Sequence, residues 1–529
     1  MINVTTNNSE MILINSKPLS KLTLESSSIG VSLILTSKVL STLVAYVLLT
    51  RFLPQNQVGL FLAIASFILL AYNISYLGID GTYVRFATMY LLQKNYEKLR
   101  LVTIFYWKYV IFVSIPVAIL IFLVLESMCG LVIPLEITFL VITFLIIRII
   151  TKSFASLPRV FMKLHIYQII IQFPLIFSAI GIIIGALFRN IEIIFLIWII
   201  LNTFLAIYAG LIFNRFFKLI HKVSPNKLQN PVSHTMEEFT KMLIPLACIA
   251  ILSPLNGMID KFFITILVPA ETIAIYIATF KLASIFSEVT RPFSQTLLSS
   301  LTYSHTYSEK TFRHGLGFIL RTTLNISFLV LIVIIPLSPI IVGILYGASY
   351  LSGYILLPIF MACGTIMAIH SLFWTISIVI RKASKYLYLV LFTTIIRLIT
   401  YSSLIWLKTS ITLWIPLVLA SLVLISHVLL LLLIFIFFKE ITADYASDCL
   451  RILLLSIPFL LESIMLLNLQ LELLITVITI LISCIIYIIL LLKIDLIKTI
   501  DLVILKRALP QKLHFLVNAL QSLKKFITK

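Results

Sequence analysis

Residues Ser253 to Gln295 read SPLNGMIDKFFITILVPAETIAIYIATFKLASIFSEVTRPFSQ. The stretch is apolar enough to lie in a bilayer, yet it carries Asp260, Lys261, Lys281, Glu288 and Arg291. A charge at the bilayer centre costs about 2.5–3.5 kcal/mol on insertion scales, so it is expected to face water, a cargo or a partner. Lys281, Ser284, Glu288, Arg291 and Gln295 follow one another at intervals of three and four residues. Such intervals stack side chains on one face of a helix. Ser253, Asn256 and Asp260 repeat the pattern on the preceding helix. Two readings stay open. The stripes line a hydrated, net cationic cavity, or they are internal ion pairs, such as Glu288 with Arg291, that only fasten helices together.

The rest of the chain agrees with a membrane setting. Of 529 residues, 61% are hydrophobic and 11% charged, whereas soluble domains carry about 25% charged residues. A membrane span needs about 20 apolar residues. That criterion predicts an all-α polytopic protein with about fourteen transmembrane helices. They lie near 29–50, 57–77, 103–125, 132–151, 166–188, 191–213, 242–267, 271–299, 316–346, 354–380, 386–407, 411–438, 449–468 and 471–492. The formal net charge is +20, which in a soluble chain suggests nucleic acid. Here its placement explains it. Thirty-one Lys and Arg fall in one alternate set of loops, including 78–102, 148–165, 214–241 and 301–321; the other set holds Arg51, Arg189 and Lys408. By the positive-inside rule both termini are cytoplasmic, and nucleic acid is not an expected partner. The five cysteines form no CxxC or Cys/His cluster, so neither a disulfide framework nor a metal site is indicated. No cofactor is expected.

A direct repeat divides the chain. LPQNQVGLFLA at 53–63 matches VPAETIAIYIA at 268–278, aligning Pro54 with Pro269, Val58 with Ile273 and Gly59 with Ala274. Both segments fall at the turn between the first two helices of a half, so the repeat is parallel. The expected organisation is a cytoplasmic segment 1–28, a six-helix lobe 29–224, a linker 225–240, a second six-helix lobe 241–438, two added helices 439–492 and a basic amphipathic tail 493–529. Within the linker, Thr235 and Glu238 have capping-box spacing and mark the start of the next helix. The tail suits the surface of an anionic bilayer, so membrane lipids are expected partners.

Further intramembrane cations sharpen the cavity reading. Lys38 lies about nine residues into the first helix, roughly 13 Å deep at 1.5 Å per residue. Lys281 and Arg397 are also mid-helix. Such cations suit a phosphate or pyrophosphate, Arg by bidentate bonds and Lys as a point charge. His370 and His427 read as hydrogen-bonded packing residues.

The stretch MIDKFFITILVPAETIAIYIATFKLA resembles the Wzx-type polysaccharide flippases of the multidrug/oligosaccharidyl-lipid/polysaccharide exporter superfamily. LLTRFLPQNQVGLFLAIASF with YLGIDGTYVRFA, and ILYGASYLSGYILLPIF, are similar to two further segments of that family. The resemblance spans roughly residues 28 to 440. It implies two six-helix lobes around a cationic cavity, alternating access, and a polyprenyl-pyrophosphate-linked oligosaccharide as cargo for O-antigen-like surface polysaccharide. It also implies an inner-membrane setting and contact with the polymerase machinery. Asp260 and Lys261 match the family's acid–base pair, and Lys38 and Arg85 match cationic positions of the first helix pair. The expected cationic set is therefore Lys38, Arg85, Lys261, Lys281, Arg291 and Arg397, with Asp260, Glu288, Asn256 and Ser284 beside it. Related lipid II flippases place acids in the eleventh helix, where this chain has Arg397 and no acid. The rival functions are a multidrug exporter of the same fold, whose cavity is expected to be acidic or aromatic, and a membrane glycosyltransferase or polymerase. The short outer turns carry few acids, so the chain is not expected to be an enzyme.

Overall fold

A computed structural model of the chain describes residues 40, 44–129, 133–161, 163–223, 232–284, 309–379, 382–406, 414–469, 472–498, 502 and 514–527. Lys38, Glu288 and Arg291 lie outside the described residues. The described chain is helical, with no strand. The helices are α1 (Tyr46–Phe52), α2 (Gln55–Ser75), α3 (Ile79–Leu92), α4 (Tyr96–Tyr109), α5 (Ile115–Cys129), α6 (Leu135–Val160), α7 (Leu164–Leu187) and α8 (Ile191–Val223). Then come α9 (Val232–Leu267), α10 (270–284), α11 (Glu309–Tyr346), α12 (Leu356–Val379), α13 (Ala383–Trp406), α14 (Ile415–Phe437), α15 (Lys439–Leu469), α16 (Leu473–Lys493) and α17 (His514–Ile527). A π-helical turn at Val110–Ser114 joins α4 to α5 as one long span.

Ten of the described helices are long and apolar enough to cross a membrane, or up to eleven if the bent pair at Ala348–Tyr354 and Leu356–His370 is one span. This is an all-α polytopic membrane protein. The end of the bundle that carries the basic loops is the basic end; the other is the neutral end.

Several expected loops are helices. The segment 78–102 is a helical hairpin. Gly78 turns the chain at φ 75°, and the Asn95 side chain caps α4 by accepting from Lys98 N at 3.1 Å. The segment 148–165 is helical to Val160, so Arg148, Lys152 and Arg159 stand on α6 rather than in a loop. Buried Ala155, Leu157 and Val160 continue the apolar face beyond the expected end at 151. Arg321, expected in a loop, is buried in α11 and bonded to Asp448 of α15 at 3.2 Å; Lys498 reaches the same carboxylate at 3.3 Å. Helix α9 starts at Val232, so Thr235 lies inside it and is not its cap. In the tail, α17 is tethered through Lys524, which bonds Asp495 Oδ1 and the carbonyl of Ile497. Beyond the spans at the basic end, Lys382 Nζ lies 2.6 Å from the exposed Glu440 carboxylate and holds its pKa below the usual value.

The two repeat turns have one geometry. Val58 N donates to Pro54 O at 3.0 Å, and its repeat equivalent Ile273 N donates to Pro269 O at 3.1 Å. The turns also meet. A Cβ on Gly59 would come within 1.8 Å of the Ala270 carbonyl oxygen, so only glycine permits this approach. Gln55 Nε2 donates to Glu271 O at 3.1 Å. Beside them Arg51 closes the neutral end of α11. Its Nη2 donates to Ile344 O at 2.5 Å and Gly343 O at 3.2 Å, and its Nε to Leu345 O at 3.3 Å. These carbonyls belong to the last helical turn, which lacks intrahelical donors and carries negative partial charge.

Candidate functional site

The motif around Asp260 is where α9, α10, α13 and α14 put their polar side chains together. Asp260 and Lys261 are each 4% exposed, and Arg397 is 2% exposed. Tyr276 of α10 donates to Asp260 Oδ2 at 3.1 Å, and Lys261 Nζ lies 3.4 Å from Oδ1. The same ammonium donates to Gly257 O at 3.0 Å and sits 3.6 Å from the centre of the Phe280 ring. A cation over an aromatic face gains about 0.5–2 kcal/mol, more where water is excluded.

Arg397 is held by four acceptors. Its Nε donates to Ser426 Oγ at 2.6 Å, and its Nη1 to Asn256 Oδ1 at 2.6 Å and Asn256 O at 2.8 Å. Its Nη2 is 3.0 Å from His427 Nδ1. A guanidinium only donates, so Nδ1 is the acceptor and His427 is the neutral tautomer with its proton on Nε2. The His370 ring lies 5.3 Å away, centroid to centroid. The packing role expected of His427 is what the geometry gives it.

Two observations place open space beside this cluster. Asn256, Lys281 and Ser284 are half-buried rather than sealed. A Cβ on Gly257 would meet nothing within 4 Å. Lys281 also reaches across the halves of the chain, its Nζ 5.7 Å from the Tyr46 ring of α1. Of the expected site residues, then, Asp260 pairs with Lys261, and Asn256, one turn earlier on α9, pairs with Arg397. Lys281 and Ser284 follow on α10. Arg85 is exposed on α3 and makes none of the contacts of this group. Ser426, His427, Tyr276 and Tyr46 belong to the surroundings but carry no charge, so nothing in the sequence singled them out for it.

This arrangement of long spans around a polar centre matches known transporters. The chain is similar in structure to the lipid II flippase MurJ in its inward closed conformation, with a TM-score of 0.55, 15% identity, and coverage of 88% of this chain and 97% of that one. It is also similar to an inward-facing multidrug resistance MATE family transporter of the MOP superfamily, with a TM-score of 0.51, 10% identity, and coverage of 79% and 100%.

The chain has the MOP transporter fold.

No protein-family model and no curated protein matches the sequence. Both structural relatives are transporters, not enzymes. The two halves of this chain meet at Arg51, Gln55 and Gly59, on the neutral end.

Proposed function

We propose that the chain is a flippase that carries a polyprenyl-pyrophosphate-linked oligosaccharide across the membrane by alternating access, for assembly of an O-antigen-like surface polysaccharide. The basic end is cytoplasmic in this reading, and the membrane is the inner one. The observation that carries the proposal is the charge of the site. Lys261 is paired with the Asp260 carboxylate, Arg397 lies within electrostatic range of the same carboxylate, and Lys281 lies within range of Lys261, so the site gathers three cations around this pair. A diphosphate needs such compensation to cross about 30 Å of hydrocarbon.

In this reading the labour is divided. Asp260, Lys261 and Arg397 are buried and bonded to their neighbours, and they hold α9, α13 and α14 in register behind the open space at Gly257. Lys281, half-buried on α10, is the cation that meets the diphosphate. Arg291 and Glu288 continue its stripe by spacing. The cargo's sugars pass on the side of Asn256 and Ser284.

The test is leaflet translocation by purified protein in liposomes, using a defined polyprenyl-diphosphate glycan. Lys281→Ala is expected to lower the rate at least about ten-fold, the loss of one charge-assisted bond, and Lys281→Arg to retain most of it. Parental rates in Lys281→Ala and Arg291→Ala would sink the assignment of the diphosphate to this stripe. Transport of organic cations in place of the glycan would make the protein an exporter.

A further inference from the structure

The cations on α6 were read as loop charges, and the MOP fold alone gives them no task. The structure puts Arg148, Lys152 and Arg159 on one helix. Their intervals of four and seven residues keep them on one stripe. Arg148 lies about 20 Å along α6 from its neutral end, at 1.5 Å per residue, so the stripe runs from mid-helix to the basic end.

Each cation faces a tyrosine. The Arg148 guanidinium carbon is 5.2 Å from the Tyr72 ring centre, Lys152 Nζ is 3.6 Å from Tyr76 and 5.1 Å from Tyr72, and Arg159 is 5.0 Å from Tyr167. One carboxylate serves the stripe among the described residues. Lys152 Nζ is 3.1 Å from Asp80 Oδ2, and Tyr106 donates to Oδ1 at 2.6 Å. Both oxygens of Asp80 are thus engaged, and neither reaches Arg148 or Arg159. Lys152 and Asp80 keep 24% and 23% side-chain exposure, so the protein does not seal the pair.

Like charges four residues apart on a helix repel. A tyrosine face offsets only about 0.5–2 kcal/mol per cation, far less than the hydration a guanidinium gives up within a span. The missing component is an anion. Arg148 supplies a planar fork and Lys152 a point charge one turn away, a pairing suited to phosphate oxygens.

We propose that Arg148 and Lys152, backed by Tyr72, Tyr76 and Asp80, form a second anion site that binds the head of a phosphate or diphosphate ester, with Arg159 as its entry from the basic end. The site shares no residue with the Lys281 stripe and does not depend on the flippase reading.

The experiment is site-resolved, so that binding near Lys281 does not register. Full-length protein in phosphatidylcholine nanodiscs is acylated with an amine reagent, and modification of Lys152 is followed by mass spectrometry. Farnesyl diphosphate added at about ten times its Kd leaves roughly a tenth of the sites unbound and is expected to slow Lys152 acylation about ten-fold; farnesol is expected to have no effect. Arg148→Gln should abolish the protection and Arg148→Lys should keep part of it, with thermal midpoints matching the parent. Protection by phosphatidylglycerol equal to that by farnesyl diphosphate assigns the site to bilayer phosphate heads. Protection by farnesyl diphosphate alone assigns it to prenyl phosphates. Unchanged acylation of Lys152 with every phosphate probe overturns the site, as does full protection in a folded Arg148→Gln. If Arg148→Gln does not fold, full loss of protection in folded Arg148→Lys still supports a fork-specific contact, and undiminished protection there overturns it.

Discussion

The protein holds cations inside its spans in two ways. Around Arg397 four of the five N–H donors have acceptors, and the group is sealed. Along α6, Arg148 has a tyrosine face and no carboxylate partner among the described residues, and the stripe is partly exposed. Charge in an apolar segment is therefore not one signal. Where the protein supplies all the partners, the cation organises helices. Where it leaves a deficit beside open space, the deficit describes a ligand. Lys261 belongs to the first kind, with its ammonium shared by Asp260, Gly257 O and the Phe280 ring. Lys281, half-buried and reaching Tyr46, lies between the two.

The sharpest way to break this comparison is to remove one cation of each kind. Arg397→Leu leaves Asn256, Ser426 and His427 buried around an apolar side chain. Leaving a buried neutral polar group without its partner costs about 1–3 kcal/mol. Arg148→Gln relieves repulsion along α6 and is expected to change stability by less than about 1 kcal/mol. Thermal unfolding in detergent, read by gel filtration of the surviving fraction, checks both. Equal losses would show that both groups are structural.

The sequence showed the first kind and hid the second, for a physical reason. Asp260 and Lys261 interrupt a long apolar run, so composition alone exposes them. The apolar run that contains Arg148 ends at Ile150, and a span rule stops the helix at 151. What carries α6 on to Val160 is tertiary. Asp80 and Tyr76 come from α3 and the turn before it, some 70 residues away in the chain. No spacing rule joins residues so far apart. The same limit hid Ser426 and His427 as partners of Arg397. The spans themselves were legible, because an apolar run is a local property. The helical hairpin at 78–102 was not, because its charges masked an amphipathic pattern.

The two glycines beside the polar centre and the outer turn extend the comparison from charge to space. Gly59 has no room, since its Cβ would overlap the Ala270 carbonyl. Overpacking of this kind costs typically about 1–3 kcal/mol, so Gly59→Ala is expected to destabilise the folded protein by that amount and to part the two repeat turns. Gly257 has open space. Gly257→Ala should be neutral or gain up to about 1 kcal/mol from helix propensity, while Gly257→Leu, which fills the space, should slow translocation with little loss of stability. Thermal midpoints for the alanine pair and transport for the leucine variant separate these outcomes. A tolerated Gly59→Ala would mean that the turns do not pack this closely in the membrane.

Arg51 gives the smallest effect and the most specific one. It is an exposed cation, yet it has three carbonyl acceptors, so it tests whether full partnering or burial decides the structural role. The acceptors lie in the last turn of α11, and Gly347, at φ 96°, turns the chain so closely past Arg51 that a Cβ there would stand 3.3 Å from the guanidinium. Cations at a helix C-terminus contribute about 0.3–1 kcal/mol when exposed. Arg51→Ala should therefore cost about 1 kcal/mol or less in overall stability. Its local consequence is larger than its global one, because Arg51 and Gln55 tie α1 and α2 to the second half of the chain at the neutral end. A cysteine placed at Gln57, whose side-chain oxygen is buried beside this seam, is expected to react slowly with a charged thiol reagent in the parent and several-fold faster in Arg51→Ala. Arg51→Lys keeps the charge but loses the fork that spans three carbonyls, and should fall between the two. If the cysteine reacts at one rate in all three backgrounds, the seam is held by the Gly59 contact alone. Arg51 would then be a cation with partners but without a structural role, and burial would be the property that separates the two kinds.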